Sequence, residues 1–452
     1  MDCSQRIGTV RPLHGVNNGP LNEGETISLS ADYRELGPPL ARLHDCEWPN
    51  PDVVDIHAVF PDMSKDPTVA ENYTFSRTDD YIQAIIETGT GIVYRLGESI
   101  EHSRRKYHVH PPQDVEKWAQ VCLGIIRHYN EGWANGFRHD IRYWEIWNEP
   151  ENRPSMWTGT DEQFFRMYAV AARRIKEAFP EVKVGGPSIG APGEMRGDSF
   201  EASDFLKAFL VYCREHQAPL DFFSWHTYTD DPWAYGRKAR ALRAVLDQYG
   251  FGGAEMHLNE WNYLPDNDWG PMLDGRGIVR QRWYEKMGGP GGAAFVATVL
   301  VDLQDSPVDV ANYYCGDTNP FGLFNRFGAP KKTCYAMKAF SLLARMPVRV
   351  RVLGGQAGEG PVVCAAMNLE ATELAVLAAH YRGGDGQLRL RIDGFGRGRG
   401  FEWEMLRVDA DRDMEPVAAG AADNGRIEAP FGPQAVILLR CRVSTGARAA
   451  AR

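Results

Sequence analysis

Over roughly the first 345 residues, short apolar segments of strand character alternate with longer amphipathic ones, and this alternation restricts the fold more than any other feature. The strand candidates are 13–17, 40–44, 92–96, 141–147, 182–185, 221–225, 257–260 and 308–313. They are short and β-prone, unlike amphipathic helices. Good helices lie between them. Thr160-Asp161-Glu162-Gln163 is a capping box, opening a helix with Phe164, Tyr168, Ala171, Ile175 and Phe179 on one face; Pro180 stops it. Val115, Trp118, Cys122, Ile125 and Tyr129 mark a second such face, and residues 331–345 form the last helix. Eight strands with interleaved helices predict an α/β fold, a (β/α)8 TIM barrel.

After Pro347 the period changes to two. Leu388, Leu390 and Ile392 alternate with Arg389, Arg391 and Asp393, and Phe401, Trp403 and Met405 alternate with Glu402 and Glu404. Gly383-Gly384-Asp385-Gly386 is a turn between such runs, and residues 436–443 read as a closing strand. This predicts a C-terminal antiparallel β-sandwich. The expected domains are therefore a barrel over 1–345, a sandwich over 346–444 and a small, basic, disordered tail over 445–452.

Sixty acidic against 50 basic residues give a net charge of −10, which disfavours nucleic-acid or anionic-membrane partners. No run of 18 apolar residues offers a membrane span. The residues after Met1 lead into no apolar core, so no signal peptide is evident and a cytoplasmic location is expected, although a chain trimmed of its leader would look the same. The eight cysteines have no Cys-x-x-Cys spacing, and several lie on apolar faces, such as Cys122 and Cys441. They read as buried free thiols rather than a disulfide framework. Nothing in the sequence indicates an oligomeric state.

Two carboxylates stand out against this frame. Glu149 ends the aromatic segment Tyr143-Trp144-Glu145-Ile146-Trp147-Asn148-Glu149-Pro150, and Glu260 ends His257-Leu258-Asn259-Glu260-Trp261-Asn262. A glutamate at the edge of an aromatic strand is costly unless it is bonded, paired or used. In a barrel, reactive groups gather at the C-terminal ends of strands, and these two close the fourth and seventh candidates. Two such carboxylates are what a retaining glycosidase needs, one as acid/base and one as nucleophile, about 5–5.5 Å apart.

The chain resembles glycoside hydrolase family 39, which includes β-xylosidases and α-L-iduronidases. The matching pieces are Trp147-Asn148-Glu149-Pro150, the run from Asp221 through Trp225-His226-Thr227-Tyr228, His257-Leu258-Asn259-Glu260-Trp261-Asn262, and the Phe321-Gly322-Leu323-Phe324 loop leading to Lys331-Lys332-Thr333 and Tyr335. The resemblance runs in order over most of residues 10–345. It implies that Glu149 is the acid/base and Glu260 the nucleophile, with no metal and no cofactor. Asn148 is then expected to bond the sugar 2-OH. His226 and Tyr228, ending the strand beside that of Glu260, are expected to keep it ionised, unless their role is structural.

His44, Asp45 and Glu98, at the ends of the second and third strands, suit sugar hydroxyls in the −1 subsite. Arg42 and Arg95 either join them or pair with carboxylates inside the barrel. Trp269 and Phe324 are candidate stacking rings, or else core. The third-strand segment and the loops at 101–112 and 264–277 depart from the xylosidase pattern, so the sugar stays open: a β-xyloside in plant-type oligosaccharides first, otherwise an α-L-arabinopyranoside, β-glucoside, β-galactoside or uronide. Two other classes compete. His44, Asp45, His226 and Glu260 could belong to a metal-dependent barrel enzyme, though no His-x-His or Glu-x-x-His spacing supplies ligands together. A non-catalytic carbohydrate-binding protein should lack one of the paired glutamates, and both are present.

Overall fold

The computed structural model describes residues 1–197, 199–354, 360–396, 400–422 and 425–444. The expected tail over 445–452 lies outside the described residues. Eight parallel strands close into a barrel in sequential order: β1 (Gly15–Asn17), β2 (Leu40–Leu43), β3 (Gly91–Leu96), β4 (Tyr143–Ile146), β5 (Lys183–Ile189), β6 (Phe222–Thr229), β7 (Glu255–Tyr263) and β8 (Val310–Tyr313). Each coincides with one of the sequence candidates. A helix follows every strand: α1 (Ser30–Leu36), α2 (Ser76–Ile86), α3 (Val115–Asn130), α4 (Asp161–Ala178), α5 (Asp204–Glu215), α6 (Ala234–Tyr249), α7 (Pro290–Asp302) and α8 (Lys332–Ala344).

Local chemistry sets their ends. The Thr160 side chain accepts from the Gln163 amide while the Gln163 side chain accepts from the Thr160 amide, so the capping box at α4 is complete. Asp114 caps α3 by accepting from the Lys117 amide, and α3 buries Trp118, Cys122, Ile125 and Tyr129. Among the described residues no helix is long and apolar enough to cross a membrane. All eight cysteines are free and buried.

The second domain has two layers. A seven-stranded antiparallel sheet runs in the order Asp2–Gly8, β9 (Val348–Arg351), β10 (Val362–Met367), β11 (Glu373–His380), β16 (Ala435–Val443), β13 (Phe401–Val408), β14 (Asp413–Ala422). The pair β12 (Gln387–Arg391) and β15 (Arg426–Pro430) covers one face. Alternation explains the burial. Leu374, Val376 and Ala378 face that pair, while Ala375, Leu377 and Ala379 join the barrel's own core. The sheet is thus packed on both sides, and α7, with residues 291–301 all buried, lies among its barrel-side contacts. One boundary differs from the sequence reading. Residues 2–8, expected in the barrel domain, pair with β9 at the edge of the sheet.

Candidate active site

β4 carries one half of the site. Trp144 packs against Tyr94 at 5.1 Å, and its neighbour Glu145 points into the barrel toward Arg42 and Asn259. The strand alternation then breaks: Trp147 and Glu149 have φ of 69° and 40°, a region that L side chains rarely adopt. As a result Glu145 and Asn148, three positions apart, both reach Arg42, and Glu149 emerges at the rim. The Glu149 amide donates to the Ser188 carbonyl at 2.9 Å, holding the turn against β5. Backbone strain of this kind persists only where its surroundings over-determine it, and it gathers at functional sites.

β7 uses a different device. Trp225 pairs with Leu258 but His226 pairs with Glu260, so Asn259 is an extra residue opposite β6. This bulge lets Asn259 and Glu260, adjacent in sequence, both contribute to the polar site. Asn259 Nδ2 donates to Glu145 Oε1 at 2.6 Å and to Ser188 Oγ at 2.9 Å.

Arg42 joins the two halves. It is fully buried, and its five N–H donors meet five acceptors. Nε donates to Glu145 Oε2 at 2.6 Å. Nη1 donates to Asn17 Oδ1 at 3.0 Å and to Glu260 Oε2 at 3.2 Å. Nη2 donates to Asn148 Oδ1 at 2.6 Å and to Ser188 Oγ at 2.7 Å. Because Asn148 Oδ1 also accepts from Ser188 Oγ, the oxygen end of that amide is committed to the protein and its NH2 end is left for the cleft.

Glu260 takes the guanidinium on one oxygen and the Tyr228 hydroxyl on the other. Burial, reinforced by the Glu260 charge, pushes the Tyr228 phenol well above its ordinary range, so it remains a donor. Glu149 Oε1 lies 2.8 Å from His226 Nδ1, and Oε2 accepts from Asn152 Nδ2 at 2.9 Å. His226 Nε2 in turn lies 2.8 Å from Ser188 Oγ and 3.6 Å from Glu260 Oε2. Burial pushes the Glu149 carboxyl up, but the bond and charge of His226, with Asn152 and Arg42, outweigh it and leave the group below the usual carboxylate range. For His226 burial pulls down, and the two glutamate charges overcome it to raise the imidazole. Both directions favour a Glu149 carboxylate that accepts a hydrogen bond from His226 Nδ1. Donor atoms of Glu149, His226 and Glu260 all lie within 4.8 Å of one another. That spacing could suit a metal, but both His226 nitrogens are already bonded and the Arg42 cation sits against Glu260.

The other sequence candidates divide. Asp45, with φ of 56°, accepts from the Ile100 amide and the Tyr314 hydroxyl, both at 2.9 Å, and lies 3.2 Å from His44 Nε2. Burial raises its carboxyl to about 7, partly offset by the Ile100 amide and increased by the Glu260 charge. Burial, with the Arg42, Arg95 and His226 charges, holds His44 well below its ordinary value, hence neutral. Trp269 is half-buried and stands edge-on to Tyr228 at 5.2 Å. Phe324 is fully buried in the barrel core and offers no face to a substrate. The ring of that loop near the site is Phe321, 5.9 Å from Tyr314 and 6.2 Å from Trp269. Glu98 is also placed differently: it bonds His57 Nδ1 at 2.5 Å in a separate hollow lined by neither Glu149 nor Glu260. Arg42 and Arg95 both pair with carboxylates, Arg95 with Asp55 at 2.5 Å. Sequence reasoning gave no role to Glu145, Ser188, Asn17 or Tyr314. Glu145 had a signal, a second carboxylate in the same aromatic strand; the others had none.

A closed parallel barrel, two strand-end carboxylates and a β-sandwich are the architecture on which the comparisons bear. Residues 51–246 match the model for glycosyl hydrolases family 39. Curated relatives include a β-xylosidase of Caldicellulosiruptor saccharolyticus, 24% identical over 61% of this chain and 57% of its own length, and a β-xylosidase of Geobacillus stearothermophilus, 27% identical over 53% of this chain and 48% of its own. The chain thus spans about half the length of the curated relatives it matches. Among solved structures, a glucosidase from Croceicoccus marinus superposes with a TM-score of 0.81 at 24% identity, and a monomeric β-xylosidase from Caulobacter crescentus CB15 with 0.71 at 17%. Each covers 98% of both chains. These likenesses show the fold.

Proposed function

We propose that the protein is a retaining glycosidase that cleaves terminal glycosidic bonds by double displacement, β-xylosidase-like in its substrate. The observation that carries the reading is the separation of the two glutamates, whose nearest donor atoms lie within 4.8 Å. Retaining pairs stand about 5–5.5 Å apart, and inverting pairs leave about 6.5–9.5 Å for a water. The match of residues 51–246 to the family 39 model and the β-xylosidase names of both curated relatives support the substrate class.

In the first step Glu260, held by Arg42 and Tyr228, attacks the anomeric carbon. The proton of the Glu149–His226 pair passes through Glu149 to the departing oxygen. In the second step Glu149 takes a proton from water, whose oxygen attacks the same carbon and frees Glu260. The Asn148 NH2 serves the sugar 2-OH, where a bond strengthens as positive charge develops on the ring.

Glu149→Ala tests the assignment. On dinitrophenyl glycosides, whose leaving group needs no proton, the first step should lose little. On poor leaving groups the loss should be on the order of 10²–10⁴-fold. Azide should discharge the accumulated glycosyl-enzyme as a β-glycosyl azide from a β-glycoside, and Glu260→Ala should give the opposite anomer. Equal losses on both leaving groups would reverse or refute the roles. Running the assay on β-xyloside, α-L-arabinopyranoside, β-glucoside, β-galactoside and uronide identifies the sugar.

A further inference from the structure

The hollow that receives Glu98 has no part in the mechanism above, and its chemistry is of another kind. It encloses about 270 Å³ between the loops that follow β2 and β3, lined among others by Glu47, Asp55, His57, Glu98 and Ser99. Donor atoms of Glu47, Asp55 and His57 lie within 4.8 Å of one another. The His57 ring is fixed twice. It stacks flat on His108, centroids 3.7 Å apart and planes 11° from parallel, and its Nδ1 is 2.5 Å from Glu98 Oε2. With Nδ1 so occupied, Nε2 is the nitrogen that faces Glu47, at 3.2 Å. A carboxylate on one imidazole nitrogen, orienting the other toward further carboxylates, is the outer-shell arrangement of metal-binding histidines.

An independent observation points the same way. Ser99 lines this hollow, is 7% exposed, and its Oγ is buried without a hydrogen-bond partner. Its backbone amide donates to Asp55 Oδ2 at 2.7 Å, so the orphan hydroxyl stands next to the carboxylate cluster. A bound cation, or the water it carries, would give that hydroxyl a partner. Three carboxylates, Glu47, Asp55 and Glu98, converge on the His57 ring, and the Arg95 guanidinium is spent on Asp55 Oδ1.

We propose that Glu47, Asp55 and His57 form a binding site for a single divalent cation. One imidazole with two carboxylates favours a transition-metal dication such as Zn²⁺ or Mn²⁺ over Ca²⁺, which takes six to eight oxygens. Ligand bonds of about 2.0–2.2 Å require the three donors to close by a few tenths of an ångström. Glu47 lies two residues after Asp45, and Asp55 holds the Ser99 amide next to Ile100, whose amide bonds Asp45. The cation would therefore pin the loop after β2, which in turn holds the loop after β3 through Asp55–Ser99 and His57–Glu98, acting on the stability of the site and not on the reaction.

The test uses the full chain stripped with EDTA and dialysed, without substrate, so its outcome is separate from that of the proposed activity. Calorimetric titration with Zn²⁺, Mn²⁺ and Ca²⁺ should show one site for a transition metal and weaker binding of Ca²⁺. Tm should rise by about 3 °C at a hundredfold excess over Kd. His57→Ala and Glu47→Gln should lose the site, whereas Glu260→Gln, which disrupts the other close group of donors, should keep it. Melting each variant in EDTA shows that it folds; if one does not, the wild-type titration still decides. The proposal is overturned if the wild-type chain binds no stoichiometric cation, the result expected were protonated His57 merely bridging Glu47 and Glu98. It is equally overturned if binding survives in folded His57→Ala or Glu47→Gln, or is lost in folded Glu260→Gln.

Discussion

Arg42 has two separable consequences, one for stability and one for chemistry. Replacing it with Met keeps most of its volume and removes all five donors. Glu145, also fully buried, then retains only the Asn259 amide and carries an uncompensated charge. Breaking a buried pair in this way costs about 3–5 kcal/mol. An unfolding entropy of about 2.1 cal/mol/K per residue, over 452 residues, gives about 0.95 kcal/mol/K, so Tm should fall by about 3–5 °C. Adding Glu145→Leu removes the stranded charge and should return most of that loss, since a buried pair can often be replaced by apolar groups at little cost. A double-mutant cycle should therefore show coupling of at least about 2 kcal/mol. Activity should not return, because Asn148 and Glu260 still lack the guanidinium in the double variant. On the order of 10²-fold loss in kcat/KM is expected in both, the usual effect of misplacing reacting groups by about 1 Å. The assay is a set of thermal melts and aryl-glycoside kinetics on the four proteins. An unchanged Tm in Arg42→Met, or a double variant as unstable as the single, would refute the reasoning.

Gly190 abuts Glu149: a Cβ there would come closer than 3.0 Å to its Oε1. Gly190→Ala should push that carboxylate off His226 and lower kcat/KM about 10–100-fold, with Tm shifted by no more than a degree or two. Normal kinetics would mean that the carboxylate position is immaterial. Asp45 gives a pH dependence. Its folded pKa, raised to about 7, exceeds the ordinary value of about 3.9, so the folded chain keeps a proton that the unfolded chain releases. The group favours folding at low pH, and that contribution is lost as pH climbs through about 7. Asp45→Asn removes the dependence, so Tm of the variant minus that of the wild type should rise between pH 4.5 and 7.5. A flat difference would contradict the buried, protonated carboxyl.

The strands were legible because each is a short β-prone run bounded by helix caps or turns, and Thr160 and Pro180 mark one helix at both ends. The sheet domain was legible from its period of two. The N-terminal strand was not: in Asp2–Gly8 only Cys3 is buried, so no apolar alternation betrays it. At the site, Asn148, Glu149, His226, Tyr228 and Glu260 could be picked out because they sit at strand ends in aromatic surroundings. What could not be read was which neighbour each would meet. The left-handed turn at Trp147 and the bulge at Asn259 change which side chains face inward, and neither follows from residue type. Phe324 and Phe321, three apart in one loop, are indistinguishable until the loop closes over the core. Glu47, Asp55, His57 and Glu98 come together only through two loops, and Glu98 was consequently read as a sugar ligand.

Under the proposed mechanism Glu149 and Glu260 act from opposite sides of one sugar in two displacements. Proton NMR of the first-formed product, recorded before mutarotation on the best β-glycoside of the screen, tests it most directly. Retention requires the β anomer to appear first and the α anomer only as the sugar equilibrates. An α anomer formed first would contradict it, whatever the sugar.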